Sequence, residues 1–492
     1  MHLVSLALSP GWVLASLNVQ EPAPPEPGVE EQIQSLREAN ELQRNKIEQL
    51  ERLLDRDGNL ASARIESERQ DEPARTMSGE EHAHGAEDSL WSSDLGFANL
   101  RMLHVSLDLL MAAGTSTEEN DSIEQLEGGA HDPKRRGFTL QNAELSLLGS
   151  VDPYFDVETY IVLTLDPESG ETEVELEEAF AKTRQLSGNL DLEVGHIFSE
   201  FGVINPLHPH QWEFVDQPVV NTRLLGPDGA RALGFRVGWL APLPFESHLH
   251  VGMQNADQEQ MSSFLGSFEH GHEEGEGGLD EGLGGRPLVD RDESDLGDFV
   301  YLARWASSFQ ADQAWSTTLG LSFLHGPNAS GEDGRTTIYG TDLMVEWKPD
   351  PSKPRGAVWQ TEIMKREWYA DHFFSAEDES DPTDDVVLDD DLLLDFGLYS
   401  QVLYFVDEHW STGLRYEVAS GEGDGTEVAR EDDPFRDDRT RISPLIAWRP
   451  SEFTRIRLQY NYDRADHLEH DDAHSFWLGV EFLIGSHGSH AH

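Results

Sequence analysis

Histidines stand beside carboxylates at several points of this chain, and imidazole with carboxylate is a donor set that suits zinc or copper. His270 and His272 lie in FEHGHEEGEGGLDEG, next to Glu273 and Glu274. His487, His490 and His492 close the chain, and His208 and His210 flank Pro209. The group His270, His272, Glu273 and Glu274 offers a weak metal site. It shows no fixed geometry and no groups behind the ligands to orient them, so a solvated polar loop is the favoured reading. The EEHAH stretch from Glu80 to His84 reads the same way. His208-Pro209-His210 reads as a structural wedge. The acidic run from Ala376 to Asp391 has the oxygen ligands that calcium and magnesium prefer, but lacks the glycine and terminal glutamate of a dedicated loop. Diffuse binding of divalent cations is expected there, and no resident cofactor. Nucleophilic chemistry finds no support. Cysteine is absent, and no G-x-S-x-G, H-E-x-x-H or G-x-x-x-x-G-K-[ST] occurs.

Charge and length narrow the classes further. The 492 residues carry 35 Lys+Arg against 94 Asp+Glu, a formal charge of −59, which would repel a phosphate backbone and excludes nucleic acid as a partner. Without cysteine there are no disulfides or thiolate zinc sites, and the redox compartment stays undetermined. No run reaches the roughly 18 uninterrupted apolar residues of a spanning helix. Alternating strands can still cross a bilayer with soluble-looking average hydropathy.

Residues 1–17 (MHLVSLALSPGWVLASL) read as a secretory signal peptide without its basic start. Residues 18–29 form a proline-rich linker. In 30–56, Ile33, Leu36, Asn40, Gln43, Ile47, Leu50 and Leu54 follow steps of three and four, an a/d seam free of Gly and Pro. A coiled coil between identical chains and a lone amphipathic helix both fit. Residues 57–95 are polar and read as a flexible tether.

Beyond Phe97 the period becomes two. Phe155, Val157, Ile161 and Leu163 oppose Asp156, Glu158, Tyr160 and Thr164; Tyr339, Leu343, Val345 and Trp347 oppose Asp342, Glu346 and Lys348. Late in the chain, Ile456, Leu458, Tyr460 and Tyr462 oppose Arg455, Arg457, Gln459 and Asn461. About sixteen such strands are expected within 96–486, near the 9–11 residues of tilted spanning strands. Short turns alternate with long, acidic connections, the asymmetry of a transmembrane β-barrel rather than a β-sandwich. The expected fold is all-β: a 16-stranded antiparallel barrel preceded by an N-terminal coiled-coil helix, with 487–492 as a histidine-containing tail. Trp239, Trp347 and Trp448 precede short turns, where interfacial aromatics belong. The strand count is too low for a plugged 22-stranded receptor.

One long connection, residues 198–230, is rich in aromatics and proline and poor in charge, so it must pack. Inside a barrel it packs as a constriction. Its expected functional residues are Glu200, His208, His210, Glu213, Asp216 and Arg223, with Arg231 and Arg236 following on the wall. Asp156, Glu158, Glu173 and Glu175, with Glu144, Asp191 and Glu193, would form an acidic wall. Arg455 and Arg457 would form a basic one opposite.

The segments E-x-G-x-x-x-x-x-F-G, N-P-x-H-P-H and L-L-G-P-D-G within Leu192 to Ala256, and the ending GSHGSHAH, resemble a family of bacterial porin-like outer-membrane proteins. That family is related to phosphate-selective porins of the O/P type, and some of its relatives are labelled zinc-regulated outer-membrane receptors. The resemblance implies a trimeric sixteen-stranded barrel in the outer membrane of a Gram-negative cell, with its third extracellular loop folded inward. Passive diffusion of small hydrophilic solutes or ions and lipid contact around the barrel are expected with it. Counting strands back from the short-turn rim puts the N-terminal helix in the periplasm, and the missing motifs argue against an enzyme. The charge balance points to cation preference and away from phosphate selectivity, which needs a ladder of Arg and Lys. Two alternatives carry weight: an envelope tether, in which the coiled coil reaches peptidoglycan or another cell-wall layer, and a metal (zinc)-capturing protein.

Overall fold

A computed structural model describes residues 92–94, 99–165, 170–184, 186–266, 282–289, 291, 295–350, 352–375, 386–423 and 430–485. The signal peptide, linker, coiled coil and His-containing tail lie outside the described residues, as do His270, His272, Glu273, Glu274 and most of the 376–391 run. The tether expected over 57–95 ends differently from the expectation. Ser92–Asp94 is a short strand paired antiparallel with residues 99–101.

Sixteen long strands form the barrel. The first eight are β1 (Asn99–Ser116), β2 (Gly137–Ser150), β3 (Phe155–Leu165), β4 (Thr172–Thr183), β5 (Leu190–Phe198), β6 (Arg231–Leu240), β7 (Glu246–Asn255) and β8 (Phe299–Gln310). The second eight are β9 (Trp315–Pro327), β10 (Arg335–Trp347), β11 (Gly356–Ala370), β12 (Asp391–Phe405), β13 (Trp410–Glu422), β14 (Arg439–Ser451), β15 (Thr454–Ala465) and β16 (Asp472–Gly485). Each pairs antiparallel with the next, and β16 returns to β1 with Phe482 opposite Leu109. The sheet therefore closes, and no edge is left unpaired.

Alternation decides which way each side chain points. The exposed side chains include Val157, Leu319, Leu321, Leu414, Ile446, Leu458 and Phe476. The largest fully buried ones include Arg366, Arg415, Arg441 and Arg457 beside Trp368 and Trp477. This is the reverse of a water-soluble domain, where charged groups lie outside. One rim carries tight turns, at 151–154, 241–245, 311–314, 406–409 and 452–453. An aspartate builds several of them: Asp152 accepts from the N–H groups of Tyr154 and Phe155 at 2.7 and 2.9 Å, and Asp312 and Asp407 repeat the pattern. The other rim carries the connections 117–136, 199–230, 256–298, 371–390 and 423–438.

Two short helices sit among these connections: α1 (Asn120–Leu126) and α2 (Val219–Leu225). Ile123 of α1 packs with Ala112, Val215 and Trp477, so the connections 117–136 and 199–230 meet over the same wall.

Candidate functional site

Residues 199–230 hold the candidate site. Their hydrogen bonds reach β4, β9, β11, β13, β14 and β15, strands on opposite sides of a closed ring, so the segment crosses the lumen. Its apolar side chains explain the burial. Phe201, Ile204, Trp212, Val220, Leu224 and Leu225 cluster with the wall residues Leu302, Leu324, Ile338, Met364 and Tyr399. Each large side chain buried this way contributes about 1.5–3 kcal/mol. Close approach demands glycine at two points. Gly202 has φ +63°, and a Cβ there would meet the Glu362 carboxylate at 2.1 Å. A Cβ on Gly340 of β10 would lie 2.7 Å from the Phe201 ring.

The segment has little regular structure, so its backbone needs partners elsewhere. Glu362 Oε1 accepts from the N–H groups of Val203 and Ile204, both at 3.0 Å, and from the Tyr399 hydroxyl at 2.6 Å. Arg457 donates to the carbonyls of Trp212 and Phe214 at 3.0 and 2.7 Å. Glu417 accepts from the Val219 N–H at 2.7 Å.

Each residue expected from sequence at the constriction has a partner. Glu200 pairs with Arg236, which also pairs with Glu193. Glu213 meets Arg449 at 2.6 Å and Arg455 at 3.8 Å. Asp216 pairs with Arg415 and, at 2.9 Å, with Arg441, and accepts from Gln459 and Asn461 at 2.8 Å each. Burial alone would raise the Asp216 carboxyl, but the guanidiniums of Arg415 and Arg441 hold it well below the usual carboxylate range. Arg223 pairs with Asp437 and donates to the Pro434 carbonyl at 2.8 Å. Arg231 pairs with Glu175 and lies 5.1 Å from the Phe198 ring centroid. Arg223, Arg231 and Asp216 are buried, so they anchor the segment instead of lining a water-filled bore.

His208 and His210 meet carboxylates from two strands. His208 Nδ1 lies 2.8 Å from Glu177 and 3.4 Å from Glu144, and its Nε2 lies 3.1 Å from Glu178. His210 Nδ1 is 3.2 Å from Glu144. A one-residue bulge in β4 brings both Glu177 and Glu178 to this point, since Ile161 faces Leu176 while Tyr160 faces Glu178.

The expected walls divide. Asp156, Glu158, Glu175 and Asp191 are partly exposed on inward faces of β3–β5, and Glu173 is exposed near the rim. Arg455 and Arg457, expected as a solvent-facing basic wall, are buried. They are held by Glu481 and by backbone carbonyls at His210, Trp212 and Phe214. The segment covers them. Sequence reasoning passed over Arg366, Arg415 and Arg441, which bind the segment or its carboxylates in the same way. Their inward parity on alternating strands was the available signal.

No family model matches the chain. Among solved structures it is similar to the outer-membrane channel DcaP of Acinetobacter baumannii, at 10% identity and TM-score 0.49, over 80% of this chain and 100% of that one. It is also similar to an anion-selective porin from Comamonas acidovorans, at 7% identity and TM-score 0.46, over 78% and 99%. Pseudomonas putida OprB, at 12% identity and TM-score 0.45 over 78% and 94%, is a third such barrel. An uncharacterized protein of Aquifex aeolicus (strain VF5) is 32% identical over 372 residues, covering 73% of this chain and 70% of the relative. The chain belongs to the same family as that Aquifex aeolicus protein.

Proposed function

We propose that this protein is an outer-membrane channel of the porin kind, passing small hydrophilic solutes and ions by passive diffusion around the segment 199–230. The observation that carries the reading is the inversion of a closed barrel, with apolar side chains outward and charged ones inward on successive strands. In lipid every backbone group must be satisfied internally, and a closed barrel does this. Outward aromatics at the short-turn rim support the same reading. Trp315 faces Trp347 with ring centroids 6.2 Å apart, and Trp410 stacks on Trp448 at 5.9 Å. In this reading the short-turn rim is periplasmic and the long connections are extracellular. In the same reading three chains associate. Kinship with phosphate-selective porins O/P belongs to the same proposal.

The bore prefers cations. The wall arginines Arg366, Arg415, Arg441 and Arg457 are buried against the segment, whereas Asp156, Glu158 and Asp191 keep contact with solvent. Lys182 and Arg184 are accessible as well, but Lys182 pairs with Glu193 at 3.1 Å and Arg184 with Asp156 at 3.5 Å, which leaves Glu158 and Asp191 as the excess charge. The test is a planar-bilayer recording on the refolded chain in a KCl gradient. Stepwise conductance with a cation-selective reversal potential is expected. Absence of conductance steps would sink the channel reading, and anion selectivity would remove the cation preference alone.

A further inference from the structure

We propose that Glu144, Glu177 and His208 hold a divalent transition-metal ion of the zinc class, clipping the lumen-crossing segment to the barrel wall. One donor atom of each residue lies within 4.8 Å of the others, and all three residues are buried. The donors come from three separate places: Glu144 from β2, Glu177 from the bulge in β4, and His208 from the segment. This inference does not depend on the channel reading.

Four features favour an ion. The ligand types are right, because imidazole with carboxylates suits zinc, whereas calcium and magnesium prefer oxygen alone. The spacing is near right. Metal–ligand distances of about 2.0–2.2 Å in a tetrahedron separate ligand atoms by about 3.4 Å. His208 Nδ1 stands 3.4 Å from Glu144 Oε2, which already fits, and 2.8 Å from Glu177 Oε2, which must open. The ring is already oriented. With Nδ1 facing the ion, Nε2–H donates to Glu178 at 3.1 Å, the carboxylate behind a ligating histidine that fixes tautomer and direction. Tyr160 lies against the ring, with centroids 4.4 Å apart, and Phe198 meets it edge-on at 5.6 Å.

The fourth feature is charge. Glu144, Glu177 and Glu178 converge at one buried point, and neighbouring carboxylates without compensation are costly there. A dication removes most of that cost. His210, with Nδ1 3.2 Å from Glu144 Oε2 and its ring parallel to His208 at 5.7 Å, is placed to add a second nitrogen. The competing occupant is a pair of protons on the two imidazoles, and the experiment separates them.

The full chain, refolded in detergent, would be stripped with chelator, incubated with Zn²⁺ alone and desalted. Metal content, thermal midpoint and zinc X-ray absorption would then be measured. The expected result is one retained ion per chain and a raised midpoint. Its coordination shell should hold carboxylate oxygens and no more than two imidazole nitrogens. Glu177→Gln and Glu144→Gln, each checked for a folded barrel, should bind Zn²⁺ at least tenfold more weakly and lose the midpoint shift. Glu178→Gln should weaken binding by roughly 10–100-fold. No retained ion in the wild type, or an ion unaffected by Glu177→Gln, would overturn the proposal. If the variants fail to fold, the wild-type absorption spectrum decides. A shell of three or more imidazoles would assign the ion to other histidines and overturn the proposal too.

Discussion

Replacing Asp216 by Asn tests whether ion pairs hold the segment across the lumen. The carboxylate accepts from Arg415, from Arg441 at 2.9 Å, and from Gln459 and Asn461 at 2.8 Å. The amide keeps the size but loses both charge-assisted bonds, each worth about 1.5–3 kcal/mol. The two guanidiniums are not orphaned. Arg415 keeps Glu417 at 2.6 Å, and Arg441 keeps Glu127 and Asp463 at 2.8 Å each. The loss therefore falls at the lower end, about 3 kcal/mol, which shifts docking against release by about 100-fold. Limited trypsinolysis reads this directly. Arg223 is buried in the segment, while Arg136 is exposed in a neighbouring connection and serves as the internal control. When opening and closing are fast relative to cleavage, the cutting rate follows the open population. Cleavage after Arg223 should rise about 100-fold in Asp216→Asn, with cleavage after Arg136 unchanged. Equal rates at Arg223 in a folded variant would refute the anchoring argument, as would wild-type cleavage at Arg223 as fast as at Arg136.

The pH dependence of that difference follows from sign. The folded Asp216 carboxyl sits below its ordinary value of about 3.9, so its contribution is full above that value and is lost as pH falls through the lower, folded one. The gap between wild type and Asp216→Asn, followed by pepsin in acid, should hold from neutrality to about pH 5 and close only below about pH 4. Gly340→Leu would press on the Phe201 ring and cost about 1–3 kcal/mol. Amide exchange at Gly202, Val203 and Ile204 should accelerate by one to two decades, while the neighbouring strands stay protected; unchanged exchange would show that Phe201 does not seat the segment. Glu158→Gln with Asp191→Asn removes two solvent-reaching carboxylates of the bore wall. The reversal potential in a KCl gradient should move toward zero, and an unmoved potential would place selectivity elsewhere.

The strands were legible because a half-buried strand shows a period of two, and closure leaves all sixteen half-buried. Phe155 to Leu165 and Arg335 to Trp347 run without a bulge of their own, and the structure turns Phe155, Val157, Leu165 and Tyr339 outward while Val162 and Ile338 face in. Two features were hidden for physical reasons. A bulge shifts the pattern by one residue, so Gln141, next to inward Asn142, and Glu178, next to Glu177 on the parity of Glu173 and Glu175, gave no sign that they turn inward. Glu177 looked like one more inward carboxylate of an acidic strand, and its convergence with His208, 31 residues on, was invisible. The anchoring partners were hidden by distance along the chain, since Asp216 meets Arg415 and Arg441 from strands far downstream. The aromatic and proline content of 198–230 says that the segment must be buried, but not against which wall.

That distinction explains why counting wall arginines misjudges the bore. An irregular segment inside a barrel exposes carbonyls and N–H groups with no ladder to join. Arginine, with five donors in a planar fork, satisfies several carbonyls at once. Arg455 takes the His210 carbonyl, Arg457 those of Trp212 and Phe214, Arg415 that of Asp216, and Arg366 that of Arg223. Glu178, Glu362 and Glu417 accept from backbone N–H groups at Phe198, Val203, Ile204 and Val219. Groups engaged this way are spent on holding the segment, so they cannot also greet a passing ion. In the proposed channel, selectivity would then fall to inward residues left in contact with water, of which Glu158 and Asp191 are acidic. In that reading the −59 charge would act on permeation through a few accessible carboxylates, while the arginines act on architecture.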